Sequence, residues 1–271
     1  MIAFPSPPGL VIYVTCGDPD LATTREVVIA AIDAGADVIE LGVPFSDPLA
    51  DGPIIQRASQ RALTAGTSLG DVLQLASEIR LARQKAGLII FSYFNPILRF
   101  GLKKFCEHAE KAGIDGALVT DLTLEEASEY RALMRSHKLS TIFLAAPTSS
   151  DSRLRKIAAA SQGFIYAVSR TGVTGPVQAS DTKGDAAQLV KRIRRCSKLP
   201  VAVGFGISSP EDFHAVGEFA EAAVVGSAIM RMIEESTTSG ASSAQTAQAV
   251  SAWIKSLRAA VGSKSKALGR A

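Results

Sequence analysis

Glu40 lies inside the apolar run Val38-Ile39-Glu40-Leu41. A carboxyl at the end of a buried strand must be desolvated, paired or put to use. Desolvation disfavours its charged form and lifts its pKa toward the range where proton transfer near neutral pH is efficient. The alternative is a structural glutamate paired with a neighbouring cation. Two further acids follow in Ser46-Asp47-Pro48-Leu49-Ala50-Asp51-Gly52-Pro53. Two prolines and a glycine stiffen that stretch, so it can aim a carboxylate in one direction. Asp before Pro or Gly is also ordinary turn chemistry. That plainer reading is preferred for Asp47, and for Asp51 the two stand level.

Three glycine-bearing stretches suit a phosphate: Thr171-Gly172-Val173-Thr174-Gly175, Gly204-Phe205-Gly206-Ile207-Ser208 and Gly226-Ser227-Ala228. Glycine lets backbone N–H groups approach an anion, and a helix N-terminus adds partial positive charge. Each stretch alone is weak, since glycine is routine in such turns; their joint placement carries the inference. Phe91, Tyr93, Tyr166 and Phe205 fall near the ends of apolar runs in a chain that is only 6% aromatic. They suggest a flat apolar ligand, against the plainer reading of core filling.

Several chemistries find no residues. The histidines His108, His137 and His214 sit in helical or surface segments, so no catalytic metal is expected. No lysine ends an apolar run, which argues against a Schiff-base aldolase. There is no G-x-S-x-G elbow and no Cys–His pair. Cys16 reads as a small buried thiol. Lys191, Arg192, Arg194, Arg195 and Lys198 alternate with inward Leu189 and Ile193, as on a solvated helix face.

The elements that must position these residues are short apolar runs alternating with amphipathic stretches. Strands are expected at about Leu10–Thr15, Asp37–Leu41, Leu88–Tyr93, Gly116–Thr120, Thr141–Ala145, Phe164–Val168, Pro200–Val203 and Ala222–Val225. Near-continuous apolar character suits parallel strands buried on both faces. Asp20 is an expected N-cap for the first helix, whose stripe Val28, Ile32 ends at Gly35. Ala34-Gly35-Ala36-Asp37, Ala112-Gly113-Ile114-Asp115 and the looser Phe219-Ala220-Glu221-Ala222 each close a helix and open a strand. Eight strands with intervening helices imply an α/β fold, a (β/α)₈ TIM barrel in a single domain over residues 1–271. The first βα turn lacks G-x-G-x-x-G, which counts against a dinucleotide fold. Long loops at Gly42–Pro53 and Ser169–Asp185 follow strand ends, on the face where barrel sites lie. Ser236–Ala247 reads as a flexible connection and Ser263–Ala271 as a frayed tail.

Composition narrows the class. Of 271 residues 47% are hydrophobic and 20% charged, and Lys+Arg 29 against Asp+Glu 26 leaves +3. That balance does not suit a nucleic-acid binder. Mean hydropathy is +0.20, yet the longest uncharged stretch, Ser236–Ile254, is rich in Ser, Thr, Gln and Gly, so no membrane span is expected. No basic residue precedes Arg25, so no secretory n-region is read. Cys16, Cys106 and Cys196 form neither a disulfide framework nor a zinc spacing. A soluble, cytoplasmic protein is expected.

The run from Val38 to Pro53 resembles the hallmark segment of the tryptophan synthase alpha chain family. Gly17-Asp18-Pro19, Tyr93-Phe94-Asn95-Pro96, Ala146-Pro147-Thr148-Ser149, Gly163-Phe164-Ile165-Tyr166, Ser169–Gly175, Gly204–Ile207 and Gly226-Ser227-Ala228 agree in order. The resemblance covers about residues 9–260. It implies a lyase of tryptophan biosynthesis that cleaves indole-3-glycerol phosphate to indole and glyceraldehyde 3-phosphate. It places the catalytic carboxylates on Glu40 and Asp51, and the active-site tyrosine on Tyr166. Phe91, Tyr93, Thr120 and Phe205 fall at the indole wall, and Thr174, Gly175, Gly206, Gly226 and Ser227 at phosphate and closing-loop positions. It also implies no cofactor on this chain. The implied partner is a beta chain carrying pyridoxal phosphate, in an α₂β₂ heterotetramer that docks through the loop after strand two and the Asn95-Pro96 turn.

Two features depart from the family. Its usual floor-covering helix has no counterpart, since only Met1–Gly9 precede strand one and Pro5, Pro7 and Pro8 forbid a helix; a weakened floor is expected. The usual Pro-Asp-Leu-Pro reads Thr120-Asp121-Leu122-Thr123, and a looser loop is expected. Competing readings are another phosphate-binding barrel such as a phosphosugar isomerase or epimerase, a stand-alone indole-releasing lyase, and a catalytically weak subunit that activates a beta chain.

Overall fold

A computed structural model describes the chain except residues 1, 3, 6, 169–178, 205 and 266–271, with backbone alone at 179–182 and 260–265. Apolar runs form β1 (Gly9–Thr15), β2 (Val38–Gly42), β3 (Gly87–Ser92), β4 (Gly116–Val119), β5 (Ser140–Ile142), β6 (Leu144–Ala145), β7 (Ile165–Val168), β8 (Val201–Gly204) and β9 (Ala222–Val225). Every pairing is parallel, in the order β5-β4-β3-β2-β1-β9-β8-β7-β6. The two ends of that order, β5 and β6, are successive pieces of one run that flank Phe143, so the sheet closes on itself. Tyr166 donates its N–H to the Phe143 carbonyl at 3.2 Å across the junction. The expected strand Thr141–Ala145 is therefore two strands, nine in all among the described residues instead of eight.

Helices cover the outside: α1 (Leu21–Asp33), α2 (Pro53–Thr64), α3 (Leu69–Ala82), α4 (Phe94–Phe100), α5 (Leu102–Lys111), α6 (Ser128–Ser136), α7 (Asp151–Ala160), α8 (Ala179–Arg194), α9 (Pro210–Gly217), α10 (Ser227–Thr238) and α11 (Ser243–Ser265). Asp20 caps α1 as expected, accepting from the Thr23 N–H at 2.7 Å. Strand alternation sorts the core. Leu10, Ile12, Ile39, Leu41, Leu88 and Ile90 face the helices. Val11, Val38, Ile89, Leu118, Ile142, Phe164, Ala202, Ala222 and Val224 fill the barrel. Among the described residues no helix is long and apolar enough to cross a membrane.

The recurring strand-opening acids share one role at the barrel floor. Asp37 accepts the Leu10 N–H at 2.7 Å and pairs with Arg258. Asp115 accepts the Leu88 N–H at 2.9 Å and Arg80 at 2.7 Å. Glu221 accepts the Val201 N–H at 2.9 Å and Arg194 at 2.5 Å. Each carboxylate ties its own strand to the start of the adjoining one, and an arginine satisfies its remaining charge.

Five expectations change. The floor is covered without a helix: Ile2 joins the inner cluster at 5% exposure, and Phe4 meets Phe164 edge-on at 5.8 Å. The Ser236–Ala247 connection is mostly helical, with only residues 239–242 between α10 and α11. Helix α8 starts at Ala179, inside the expected Ser169–Asp185 loop, and α11 runs on to Ser265 inside the expected tail. The Thr120–Thr123 loop is held by hydrogen bonds. Thr120 N–H donates to Ser92 O at 2.9 Å, a bond proline cannot make. Asp121 accepts the Phe94 N–H at 2.7 Å, and Thr123 donates to Glu126 at 2.9 Å.

Candidate active site

Glu40 sits at the middle of β2, in register with Tyr13 on one side and Ile89 on the other. Its strand neighbours Ile39 and Leu41 face the helices, so the two-residue strand period turns Glu40 into the barrel. It is fully buried, and neither carboxyl oxygen has a hydrogen-bond partner among the described residues. Burial without a cation pushes its pKa up to about 8. Among the described residues the alternative of a salt-bridged glutamate finds no cation, and a pKa of about 8 leaves the carboxyl mostly protonated at pH 7.

Asp51 closes the loop after β2, directly before Gly52 and the Pro53 that starts α2. Proline suits a first helical position, because the N–H it lacks would have no helical partner there. Asp51 is 8% exposed. Tyr93 organises it: the phenol accepts the Ala50 N–H at 2.9 Å and donates to Asp51 Oδ2 at 3.1 Å. Burial pushes Asp51 up to about 6, opposed by that Tyr93 bond. The two carboxyls thus differ in kind, one neutral and one mostly ionised at pH 7. That separation is what acid–base work by a pair of carboxyls requires.

Aromatic rings surround them. Phe91 meets Tyr13 edge-on at 5.0 Å, and Phe45 lies against Tyr93 at 5.1 Å. Tyr166, on β7, packs with Phe91 on the inner cluster. Burial drives its hydroxyl pKa far up, and the charges of Glu40 and Asp51 add to the shift. Glycine makes room for two of these rings. A Cβ on Gly204 would lie 2.6 Å from the Tyr166 hydroxyl, and one on Gly42 would collide with the Tyr13 hydroxyl. Thr120 follows β4 and is half-buried.

The phosphate expectations are placed in part. Gly226 caps α10 without a side-chain bond and lies beside Tyr13, Ser227 opens that helix, and both are half-buried. The first N–H groups of any helix lack internal partners. Gly206 is exposed, with φ +30. Phe205, Thr174 and Gly175 lie outside the described residues. Among the described residues, no three His, Cys, Asp or Glu side chains gather as a metal site would need.

Sequence reasoning missed Tyr13. Its phenol lies 3.2 Å from Thr15 Oγ1, and its pKa is raised far by burial and then by Asp51. The signal was the alternation Val11, Tyr13, Thr15 on one face of β1.

Comparison with known proteins agrees with this geometry. The family model described as "Tryptophan synthase alpha chain" matches residues 5–261. A tryptophan synthase alpha chain from Solibacter usitatus is 50% identical over 233 residues, 86% of each chain. The tryptophan synthase subunit alpha of Legionella pneumophila superposes with TM-score 0.85 at 35% identity, covering 94% of this chain and 93% of that one. A tryptophan synthase complex from Pyrococcus furiosus matches with TM-score 0.82 at 34% identity, covering 93% of this chain and 98% of that one. The chain belongs to the tryptophan synthase alpha chain family, the lyase subunit of that enzyme, whose alpha reaction releases indole from indole-3-glycerol phosphate.

Proposed function

We propose that Glu40 and Asp51 carry this cleavage, with Glu40 as general acid and then base. Neutral Glu40 gives its proton to indole C3, and the ring becomes a cationic indolenine. Asp51, ionised, accepts a hydrogen bond from the ring N–H and stabilises that charge. The bond from C3 to the glycerol carbon then breaks, and its electron pair returns to the ring and restores aromaticity. The hydroxyl on that glycerol carbon becomes the aldehyde, and its proton goes to the Glu40 carboxylate. Protons balance over the cycle, and indole and glyceraldehyde 3-phosphate leave.

General acid–base catalysis supplies about 10²–10⁴-fold, and positioning and preorganised charge supply the rest. Phe91, Tyr93, Thr120, Tyr166 and Phe205 form the wall for the ring. Gly206, Gly226 and Ser227, with Thr174 and Gly175, take the phosphate, and that remote contact helps hold the ring against both carboxyls. The protonated ring is itself the electron sink, so this chain needs no cofactor. Pyridoxal phosphate belongs to a beta-chain partner, placed against loop 43–52 and Asn95-Pro96, which lie in the first turn of α4 and not in a loop turn. Leu49 in that loop is 85% exposed and Leu98 on α4 is 57% exposed. The reaction is assigned to the cytoplasm.

The observation that carries the reading is Glu40, buried and turned into the barrel with no hydrogen-bond partner among the described residues, together with an Asp51 held by Tyr93. An indole-release assay on indole-3-glycerol phosphate tests it. Wild-type chain is expected to release indole. Asp51→Asn is expected to lose kcat by about 10²-fold or more, as for a group that acts on charge in the transition state. A change confined to KM would assign Asp51 to binding alone.

A further inference from the structure

Two helices carry the two ends of the proposed substrate. Helix α2 begins at Pro53, directly after Asp51-Gly52, and α10 begins at Ser227 at the phosphate end. Their parent strands do not touch, since β1 lies between β2 and β9. Both helices lean on β1 and on each other, and a further tie joins them. It is an ionic cluster further along both helices. Glu234 on α10 accepts Nε and Nη2 of Arg57, each at 2.7 Å, and Nη1 of Arg61 at 2.8 Å. Arg57 and Arg61 stand one turn apart on α2. Arg61 also grips both oxygens of fully buried Asp18, in the turn after β1, at 2.7 and 2.8 Å. One carboxylate thus receives three N–H donors from α2, and the second arginine reaches on to the turn after the intervening strand.

Exposed ion pairs add little to stability. Bidentate arginine contacts instead fix direction and distance. Glu234 lies seven residues past Ser227 and Arg61 eight past Pro53, so about 10–12 Å of helix rigidly transmits that register to each start. The arginine bonds hold the Glu234 carboxyl down to about 2, so it stays charged throughout the working range.

We propose that Glu234 is a positioning residue, setting the distance between Asp51 and the phosphate-binding start of α10 through Arg57 and Arg61. The inference rests on the roles given above to Asp51 and to that helix start.

The test is steady-state kinetics of the full chain with Glu234→Ala, alongside inhibition by glycerol 3-phosphate. The expected result is a kcat lower by about tenfold or more, because small misplacements of reacting groups are costly, with the inhibition constant within about twofold of wild type. Unchanged kcat would overturn the proposal. So would an inhibition constant that rises in step with the loss of kcat, the mark of simple structural support. If Glu234→Ala does not fold, Arg57→Met decides by the same criteria, since Arg61 then still neutralises Asp18. Asp51→Asn runs in parallel. A fully active Asp51→Asn would remove the functional reading and this inference with it. An inactive Asp51→Asn beside an unaffected Glu234→Ala would remove the inference alone.

Discussion

At the residue scale, burial separates the acidities of Glu40 and Asp51 in the way the proposed chemistry requires. Glu40 has no hydrogen-bond partner among the described residues and burial lifts its pKa to about 8, whereas Asp51, held by Tyr93, is pushed up only to about 6. The roles proposed above require Glu40 neutral and Asp51 charged. As pH falls through about 6, Asp51 gains a proton and activity drops. As pH rises through about 8, Glu40 loses its proton and activity drops again. A kcat/KM profile is expected to be bell-shaped with limbs near those values. Tyr93→Phe removes the bond that stabilises ionised Asp51, so its acid limb should move to higher pH while the alkaline limb stays. A flat profile from pH 5 to 9 would contradict the assignment. Glu40 was legible in the sequence because a lone acid in an apolar run has few explanations. Tyr13 was not, since an aromatic on an inward strand position looks the same whether it packs or lines a site. The Tyr93–Asp51 bond spans 42 residues, and no local pattern encodes it.

At the element scale, strands follow from apolar runs, and most of the expected boundaries fall within one residue of those observed. The break at Phe143 was illegible because the run is apolar throughout. The Ser- and Thr-rich stretch before α11 misleads for a physical reason. Thr237 and Thr238 hydroxyls bond back to the carbonyls of Ile233 and Glu234 at 2.8 Å, so residues that often favour turns continue α10. The repeated Asp37, Asp115 and Glu221 were visible as a pattern, and their backbone partners on adjoining strands give it meaning. Asp115→Ala leaves the Leu88 N–H and Arg80 without that carboxylate. It is expected to destabilise the fold by about 1–3 kcal/mol, read from the urea midpoint, with kcat within about twofold. An unchanged midpoint would show that the floor bonds contribute nothing.

At the scale of the whole molecule, the proposed site combines Glu40, at the middle of β2, with loops at the carboxyl ends of the strands, and the bonds that tie neighbouring strands lie at the amino ends. Ile2, Phe4 and the floor carboxylates lie at the amino ends; Asp51, Gly226 and Ser227 lie at the carboxyl ends. The barrel was legible from the alternation of runs. Its floor was not, because two apolar residues among prolines give no periodic signal. The exposed Leu49 belongs to the face assigned to a beta chain. Leu49→Asp is expected to weaken binding of a beta chain by about tenfold or more in calorimetric titration, since an apolar anchor becomes a buried charge. Turnover without the partner should stay near wild type; equal affinity for both forms would move the interface elsewhere. The central claim, that a neutral buried acid hands its proton to indole C3, meets its most direct test in indole release by Glu40→Gln at pH 7. The glutamine keeps the shape of the site without an ionisable proton. Turnover lower by about 10²-fold or more, with glycerol 3-phosphate affinity retained, is the predicted result. Turnover close to wild type would contradict it.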